Sequence, residues 1–368
     1  MKDCRIKIFN EFNDELKIIW CDLQKDSSCY LFQTYEWQEY WFNAVGTTLN
    51  LKPLIVCVYN SSKLIAIFPL GLKSLYGIKI IELLGGGQSD YNNPIFSKKV
   101  QLSSIKELWN GVLAELPKYD VIYLSRIPEK LTDSRNPFIG ALPFKVEGSS
   151  HYSKLPCLLS EMPEIISKRI LKDNRRMKRR LSEKGLLEFV IAKNSHEYNL
   201  ISIETLKQKR DRYLATGANN ILEDERVYLF YSELFENIPC VHLSALKIDG
   251  EIIATHLGVV FKKRFYYLMP TFLPGFYEKY SPGRVLLEYL TKWSIENGIK
   301  VYDFTTGSES YKKKWCNKEM NIYNYQSYST FTGFLFVIAL KTILFLKSNS
   351  STRSFFMNLN RIRKSWAA

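Results

Sequence analysis

The sequence has few of the residues that build metal and disulfide sites. Its seven cysteines are an odd number, are scattered along the chain and form no CxxC pair, which disfavours zinc ribbons and thioredoxin-like redox sites. Its four histidines show no metal-ligand spacing. We therefore expect a protein without a metal site, whose cysteines are reduced as they are in the cytoplasm.

Targeting signals, membrane spans and nucleic-acid motifs are also lacking. The opening run MKDCRIKIFNEFNDE is charged throughout, unlike a secretory signal peptide. The most apolar segment, residues 331–346, is interrupted by Lys341 and is shorter than the ~20 residues that a membrane span needs. Gly85-Gly86-Gly87 lacks the Lys-Ser/Thr that completes a P-loop. These features predict a cytoplasmic location and make nucleic acid an unlikely partner.

The chain is basic and long enough for two domains. It has 51 Lys and Arg against 37 Asp and Glu in 368 residues, a formal net charge of +14. This excess fits an anionic partner, such as a phosphorylated cofactor or a membrane surface, or simply a solvated surface. The apolar fraction of 46% is sufficient for two cores. We place domains at residues 1–150 and 151–330, followed by an apolar and basic helical tail at 331–368.

Two similar hairpins indicate an internal duplication. The apolar runs at 53–59 and 64–70 flank a polar turn, and those at 241–247 and 252–260 flank an Asp-Gly turn. Each hairpin precedes a third strand-like run, a predicted helix and a closing strand. The predicted fold class is therefore α/β, with two tandem units that each contain a mixed sheet flanked by helices.

Two further segments combine apolar and basic residues. Residues 168–184 predict a helix with one apolar face and many Arg and Lys, which either faces solvent or binds phosphate groups. The apolar segment 331–346 is followed by basic residues. It predicts a helix that either packs on its domain or contacts the inner face of an anionic membrane peripherally.

The segment 266–315 contains the best-organised candidate for a binding site. A strand-like run leads to Ser281, Pro282, Gly283 and Arg284 at a predicted helix start, where Ser is a common N-cap and Pro a common first residue. The first-turn N–H groups and the helix dipole bind anions. A small residue permits close approach, and Arg adds a positive charge. These four residues predict a pyrophosphate site, with a plain turn and cap as the alternative.

The next predicted strand ends in the polar segment DFTTGSESYKKKW, at a usual position for binding sites in α/β folds. Tyr311 beside the cationic Lys312 is suited to protonating a leaving thiolate, and Asp303 or Glu309 could take a proton from an amine. These residues could equally form a surface salt-bridge network. His256, on the second strand of the later hairpin, is a candidate base or acceptor-binding residue, or an ordinary half-buried histidine.

The run PGFYEKYSPGRVLLEYLTKWSIENGIKVYDFTTGSESYKKKW closely resembles the C-terminal signature of the CelD-like acetyltransferases. These belong to the GNAT superfamily and are related to Fem-type peptidyltransferases. Their pattern includes SPG, a helix, and then DF, G, E and YK–W at matching spacing. Weaker similarity, for example in WQEYW, IFPLGL and DYNNPIF, extends the resemblance over residues 30–328.

The resemblance implies tandem GNAT-like domains and acetyl-CoA or another acyl-CoA as the donor. It implies that the pyrophosphate lies on the loop 281–284 and that Tyr311 protonates the CoA thiolate. The N-terminal half has no SPG loop, so the resemblance places the acceptor site there. The acceptor in such proteins is often tied to bacterial surface polysaccharide, which implies a small-molecule or glycan partner.

We therefore expect an acyl-CoA-dependent N-acyltransferase, with acetyl transfer as the first expectation, that acts on an amino sugar or a cell-surface polysaccharide precursor. One alternative is a Fem-like peptidyltransferase that uses aminoacyl-tRNA, held by residues 168–184, although no coiled-coil insertion typical of many Fem proteins is visible. Another alternative is a non-catalytic scaffold attached to a membrane through residues 331–346, against which the intact SPGR and YKKKW segments argue.

Overall fold

The computed structural model of the protein describes residues 4–100, 104–132, 134–216, 221–238, 240–307 and 309–348. The strands of the N-terminal half are β1 Cys4–Phe9, β2 Lys52–Asn60, β3 Lys63–Leu75, β4 Ile78–Leu83, β5 Ile95–Phe96, β6 Val121–Pro128, β7 Lys130–Leu131 and β8 Ser134–Arg135. The later strands are β9 Lys145–Lys154, β10 Leu187–Ile191, β11 Val241–Ile248, β12 Glu251–Phe261, β13 Arg264–Phe272, β14 Val301–Thr306 and β15 Lys318–Tyr328.

Helices connect these strands and cover the sheet. They are α1 Asp14–Lys25, α2 Tyr35–Trp41, α3 Ile105–Glu115, α4 Lys168–Ser182, α5 Ser195–Thr216, α6 Glu225–Asn237, α7 Pro282–Glu296, α8 Lys312–Trp315 and α9 Phe331–Ser348. The predicted basic helix at 168–184 corresponds to α4, which buries Met177 and Leu181 on its apolar face. That prediction is confirmed, because the apolar positions recur with the period of a helix.

Apart from the short pair β7–β8, the described strands form one mixed sheet. Its order is β1-β2-β3-β4-β6-β15-β9-β14-β13-β12-β11-β10, with β5 paired to β3. Each half contains a strand, an antiparallel hairpin, a third strand and a parallel closing strand, in the orders β1-β2-β3-β4-β6 and β10-β11-β12-β13-β14. The predicted α/β duplication, with mixed sheets and flanking helices, is therefore confirmed. The two sheets are joined into one, a feature that no sequence pattern predicts.

The two halves exchange their last strands. Strand β9 follows β6 along the chain but pairs with β14, whereas β15 follows β14 but pairs with β6. Strands β9 and β15 also pair with each other at the centre of the sheet. The expected division between residues 150 and 151 falls within β9, so each half is completed by a strand from beyond it.

The parallel strands of each half separate after a short paired stretch. Strands β13 and β14 pair over Arg264–Tyr266 and Val301–Asp303, and β4 and β6 pair over Ile80–Glu82 and Val121–Tyr123. All four strands continue beyond these residues. Two diverging strands leave a gap between their ends, so each half has a potential cleft at its parallel pair.

A shared core also connects the halves. One cluster of buried side chains extends from α1 and α2 to α5 and α6. Within it, the rings of Trp37 and Phe230 meet edge to face with centroids 5.2 Å apart. Such aromatic pairs contribute about 0.5–1.5 kcal/mol beyond the burial of their area. The N-terminal half therefore helps to position α5 and α6 over the later strands.

Helix α9 lies against β4, β6 and β15. Its Val337 is 4% exposed and packs with Ile80 and Val121. The segment 331–346 was predicted to be helical, and this is confirmed. None of the helices in the described residues is both long and apolar enough to cross a membrane. The end of the expected tail, residues 349–368, lies outside the described residues.

Candidate active site

The loop before α7 follows the open end of β13. Ser281 has a left-handed backbone, with φ 52° and ψ 55°, and its side chain makes no capping hydrogen bond. The expectation that Ser281 caps the helix through its hydroxyl is therefore wrong, because a capping residue needs an extended backbone. Its carbonyl instead accepts hydrogen bonds from the N–H groups of Arg284 and Val285, at 3.0 and 3.2 Å. Pro282 occupies the first turn, where its missing N–H costs little.

A cavity of about 600 Å³ adjoins this loop. Its walls come from the end of β13, the start of α7, one face of α5 and the segment after β14. Three cations, Lys209, Arg212 and Arg284, line it together with two carboxylates, Glu278 and Glu309. This volume is typical of small-molecule sites, and the charge balance favours an anionic ligand.

The predicted pyrophosphate residues lie at this cavity. Ser281, Gly283 and Arg284 line it, whereas Pro282 is buried behind it. A Cβ atom on Gly283 would lie 3.3 Å from Cδ1 of Phe272, so glycine keeps the loop close to the cavity wall. The Nε atom of Arg284 is buried and has no hydrogen-bond partner among the described residues. An anion at the helix start would supply an acceptor for that donor.

Helix α4 supports the same loop from behind. Asn174 is 1% exposed, and its Nδ2 donates to the carbonyl of Arg284 at 3.2 Å. The Nζ of Lys178 lies 4.4 Å from the ring centroid of Tyr289 on α7. These contacts place the basic helix next to the start of α7.

Tyr311 lines the cavity just before α8. Burial raises the pKa of its phenol above the usual value, Glu309 raises it further, and Arg212 opposes the shift. The phenol therefore stays protonated at neutral pH and can donate a proton or a hydrogen bond. Glu309 also lines the cavity, and its side chain is 57% exposed.

Lys312 is buried at the start of α8 and is not part of the cavity lining. Its Nζ donates to the carbonyl of Thr306 at 2.5 Å and lies 3.0 Å from Oε2 of Glu309. Gly307, with φ 128°, allows this turn, since a Cβ there would lie 2.3 Å from Oε2 of Glu309. Lys312 thus stabilises the turn after β14, and Arg212 is the cation that acts on Tyr311.

Asp303 lies between the halves, outside the cavity lining. It is fully buried. Its Oδ1 accepts hydrogen bonds from the hydroxyl of Tyr91 at 2.7 Å and the N–H of Thr305 at 2.8 Å, and its Oδ2 accepts one from Nη1 of Arg264 at 2.7 Å. A carboxylate with these partners is suited to joining the two halves. The structure does not bring it together with Tyr311 and Glu309 at the cavity.

His256 also lies outside the cavity lining, behind Tyr267. Its ring is fully buried and stacks on Tyr267, with centroids 4.2 Å apart and an interplanar angle of 11°. Burial holds the pKa of His256 well below its usual value, so the ring is neutral at physiological pH. This environment is that of a core histidine, the second of the two predicted interpretations.

Lys209 and Arg212 on α5 were not among the predicted site residues. The Nζ of Lys209 lies 3.4 Å from the carbonyl oxygen of Pro270 and 5.3 Å from the ring centroid of Tyr213. The guanidinium of Arg212 lies 4.6 Å from the ring centroid of Phe272. Spacing of three and four residues places positions 209, 212 and 213 on one helical face. That spacing was the available signal.

The described parts of the chain offer no obvious metal site, since no three of their His, Cys, Asp and Glu side chains converge to hold an ion.

The diverging strands of the N-terminal half adjoin a second cavity, of about 390 Å³. Its wall includes Arg126, whose Nη1 donates to the carbonyls of Gly87 and Ser89 at 2.8 and 3.0 Å. Lys73 and Glu82 also line it and form an ion pair.

Comparison with known families finds a match in the C-terminal half. Residues 168–313 match the family model described as an acetyltransferase (GNAT) domain. This segment contains α4, α5, α7 and nearly all of the larger cavity's wall. The match indicates an acyltransferase domain of the GNAT type. A sequence search of curated proteins found no match.

Several solved structures are similar over most of their length. FemX aligns with a TM-score of 0.55 at 15% identity, covering 86% of this chain and 96% of that chain. The C-terminal domain of a putative lysylphosphatidylglycerol synthetase from Agrobacterium fabrum aligns with a TM-score of 0.52 at 13% identity, covering 90% and 97%. L-PGS from Bacillus licheniformis aligns with a TM-score of 0.53 at 12% identity, covering 86% and 93%. These similarities show a shared fold and leave the donor and the acceptor open.

Proposed function

We propose that the protein is an N-acyltransferase that takes an acyl group, first of all acetyl, from acyl-CoA. The proposed acceptor is the amine of an amino sugar or of a cell-surface polysaccharide precursor. The larger cavity carries this proposal, because an anion-binding helix start, two guanidinium groups and Tyr311 line one space. The resemblance to CelD-like acetyltransferases supports the choice of donor and acceptor.

The CoA pyrophosphate would lie at residues 281–284. The N–H groups of Arg284 and Val285 already donate to the carbonyl of Ser281, whereas the N–H of Gly283 would be available to the pyrophosphate. Arg284 and Arg212 line the same cavity and would add charge-assisted hydrogen bonds. The acyl thioester would then extend toward the ends of β13 and β14, where the two strands no longer pair.

The chemistry proposed for this cavity is direct transfer. The acceptor nitrogen attacks the thioester carbonyl carbon, and Glu309 takes the amine proton. The C–S bond then breaks, and Tyr311 gives its proton to the CoA thiolate. We favour Glu309 over Asp303 and His256 as the base, because it lines the cavity and they do not. Burial would also raise the pKa of a bound CoA thiol, which would favour proton transfer from Tyr311 to the thiolate.

We propose that the N-terminal half shapes the acceptor side. The hydroxyl of Thr306, at the end of β14, donates a hydrogen bond to Asp90 of that half. Burial raises the pKa of Asp90, whereas the hydrogen bond from Thr306 and the charge of Arg126 oppose the shift. Asp90 of the N-terminal half and Thr306 of the C-terminal half therefore meet next to the turn that carries Glu309 and Tyr311.

A Fem-like enzyme with an aminoacyl-tRNA donor is the second candidate. Helix α4 favours it, because eight of its fifteen residues are Lys or Arg and the helix contacts the loop at Arg284. A basic helix beside a donor site could bind the RNA backbone.

Donor binding and transfer can be tested together. We would measure thermal stability with CoA, acetyl-CoA and nucleotide sugars, since ligands of the native state raise its melting temperature. Labelled acetyl-CoA and labelled charged tRNA would then be incubated with a panel of amino sugars, beside controls without protein. We expect stabilisation by CoA and label transfer from acetyl-CoA. Transfer from tRNA alone would support the Fem-like candidate, and neither binding nor transfer would contradict both.

We also propose a peripheral contact with the inner face of a membrane through residues 331–368. Phe331, Leu335 and Ile338 are exposed on α9 at 73%, 50% and 45%, although Val337 on the same helix is buried. An apolar outer face near basic residues is typical of helices that bind anionic lipid surfaces.

A further inference from the structure

Lys209 brings an ammonium group to the open end of β13. Its Nζ lies 3.4 Å from the carbonyl oxygen of Pro270, and the side chain lines the cavity that Tyr311 and Arg284 also line. Helix α5 packs along β12 and β13, which fixes the position of the lysine relative to the strand. The ammonium is therefore held where β13 has lost its parallel partner.

Pro270 removes a hydrogen-bond donor from this part of the strand. The N–H and C=O of one strand residue point to the same side, so an N–H at position 270 would point toward Lys209. Proline has no N–H, and β13 therefore presents an acceptor without a donor here. A thioester carbonyl that becomes an oxyanion needs donors placed in advance. Lys209 supplies N–H groups at the place where the backbone lacks one.

We propose that Lys209 is a catalytic residue that donates a hydrogen bond to the carbonyl oxygen of the transferred acyl group. This role rests on the acyl-CoA-dependent function proposed above. When the amine attacks the carbonyl carbon, the π electrons move onto the oxygen, and the ammonium stabilises that charge without giving up its proton. The C=O bond then re-forms as the C–S bond breaks. The amine proton passes to Glu309, and the thiolate takes a proton from Tyr311.

Burial and neighbouring charges lower the pKa of the Lys209 ammonium. Burial lowers the pKa of Lys209 to about 8, Arg212 and Lys312 lower it as well, and Glu309 opposes them. His256 faces it from β12 and is neutral, because burial holds the pKa of that ring well below its usual value. The protonated form is the donor. The contribution of Lys209 should therefore be present below pH 8 and be lost as the pH rises through about 8.

The test compares turnover with donor affinity. Release of the CoA thiol from acetyl-CoA would be measured with water alone and with glucosamine as the acceptor. Lys209→Met should lower kcat by about 10²–10³-fold, the usual effect of removing one oxyanion donor, and should change the Kd of acetyl-CoA by less than about threefold. Lys207→Met is the matched control, because Lys207 is on the same helix with its side chain 64% exposed. Circular dichroism would compare the folding of all variants.

The pH profile separates a hydrogen-bond donor from a base. In the wild type, kcat should fall as the pH rises through about 8. Lys209→Arg should keep measurable turnover and lose that decline, because a guanidinium stays protonated. Three results would each overturn the role of Lys209 alone: unchanged kcat in Lys209→Met, a wild-type rate that rises through pH 8, or lost acetyl-CoA binding with an intact kcat. A wild-type protein that neither binds nor consumes acetyl-CoA would contradict the function on which the role rests.

Discussion

The two halves of the sheet share one strand order but differ in the segment that follows the third strand. After β13, the chain passes through Ser281 into the start of α7, and Arg212 and Arg284 line the adjoining cavity. After β4, the chain turns through Gly86 and Gly87, and Arg126 donates to backbone carbonyls there. The same pair of diverging strands can therefore adjoin either an anion site or an internally bonded turn.

The N-terminal and C-terminal cavities also differ in packing and in charge. A Cβ atom on Gly86 would lie 2.6 Å from Cζ2 of Trp41, so this turn is packed closely against α2. Lys73 and Glu82 neutralise each other at the N-terminal cavity. The C-terminal cavity is larger and has one more cation than carboxylates. The two halves thus share a scaffold, while local sequence after the third strand determines which cleft suits an anion.

The largest expected effect concerns the buried ion pair of Asp303 with Arg264, a pair within the C-terminal half to which Tyr91 of the N-terminal half also bonds. Asp303→Ala would leave the guanidinium of Arg264 buried without its carboxylate, and the hydroxyl of Tyr91 without its acceptor. Breaking a buried pair in this way costs about 3–5 kcal/mol. Urea denaturation should show that loss in the free energy of unfolding. Asp22→Ala is the control, since its pair with Lys25 is exposed and should contribute about 0–1 kcal/mol. Equal losses in both variants would mean that the buried pair contributes no more to stability than the exposed pair.

Tyr311→Phe tests whether the C-terminal cavity contains a proton donor that turnover needs. The change removes the proton donor and keeps the ring, so kcat should fall by about 100-fold while acetyl-CoA affinity stays nearly constant. Tyr123→Phe is the counterpart, because Tyr123 lines the cavity of the other half, and it should retain full turnover. Steady-state kinetics and calorimetric binding would check both. Full turnover in Tyr311→Phe with rate-limiting chemistry would make this residue structural.

Arg284→Ala and Arg126→Ala compare the two clefts as anion sites. Loss of one charge-assisted hydrogen bond should weaken CoA binding by about tenfold in Arg284→Ala, close to 1.4 kcal/mol. Arg126→Ala should leave CoA affinity unchanged, because that guanidinium bonds to backbone carbonyls. Isothermal titration with CoA measures both values. Weaker binding in Arg126→Ala alone would place the donor in the N-terminal half.

The predictable parts of this fold are those with local patterns. The hairpins β2–β3 and β11–β12 have apolar runs around short turns, which predict strands directly. Strand β9 has no such pattern, because it buries polar residues, including Ser150, His151 and Ser153, at the centre of the sheet. Its register with β15 joins Tyr152 to Lys318. Such distant pairing follows from the tertiary structure and is not visible in a sequence window.

Some residues of the candidate site could likewise be predicted from a local pattern, whereas others depend on tertiary packing. The loop 281–284 is a contiguous motif at a helix start, and the structure places it at the cavity. Lys209 and Arg212 line that cavity because α5 packs on β13, and their helix alone does not reveal which face is covered. Asp303 and His256 are chemically suitable residues, but their burial depends on partners such as Arg264 and Tyr267. Side-chain type therefore identified candidates, and packing decided their environment.

The smallest expected effect concerns α9, which contrasts with both halves because its outer face is apolar. Leu335 and Ile338 are 50% and 45% exposed, so replacing both with Ser should not disturb the packing of Val337. If this face contacts a membrane, the double variant should bind anionic vesicles several-fold less, since two side chains that insert only partly would contribute about 1 kcal/mol together. Vesicle flotation with and without anionic lipid measures this. Ile18→Ser, which changes an exposed side chain on α1, should float like the wild type. Unchanged flotation of the double variant would show that this face does not contact lipid.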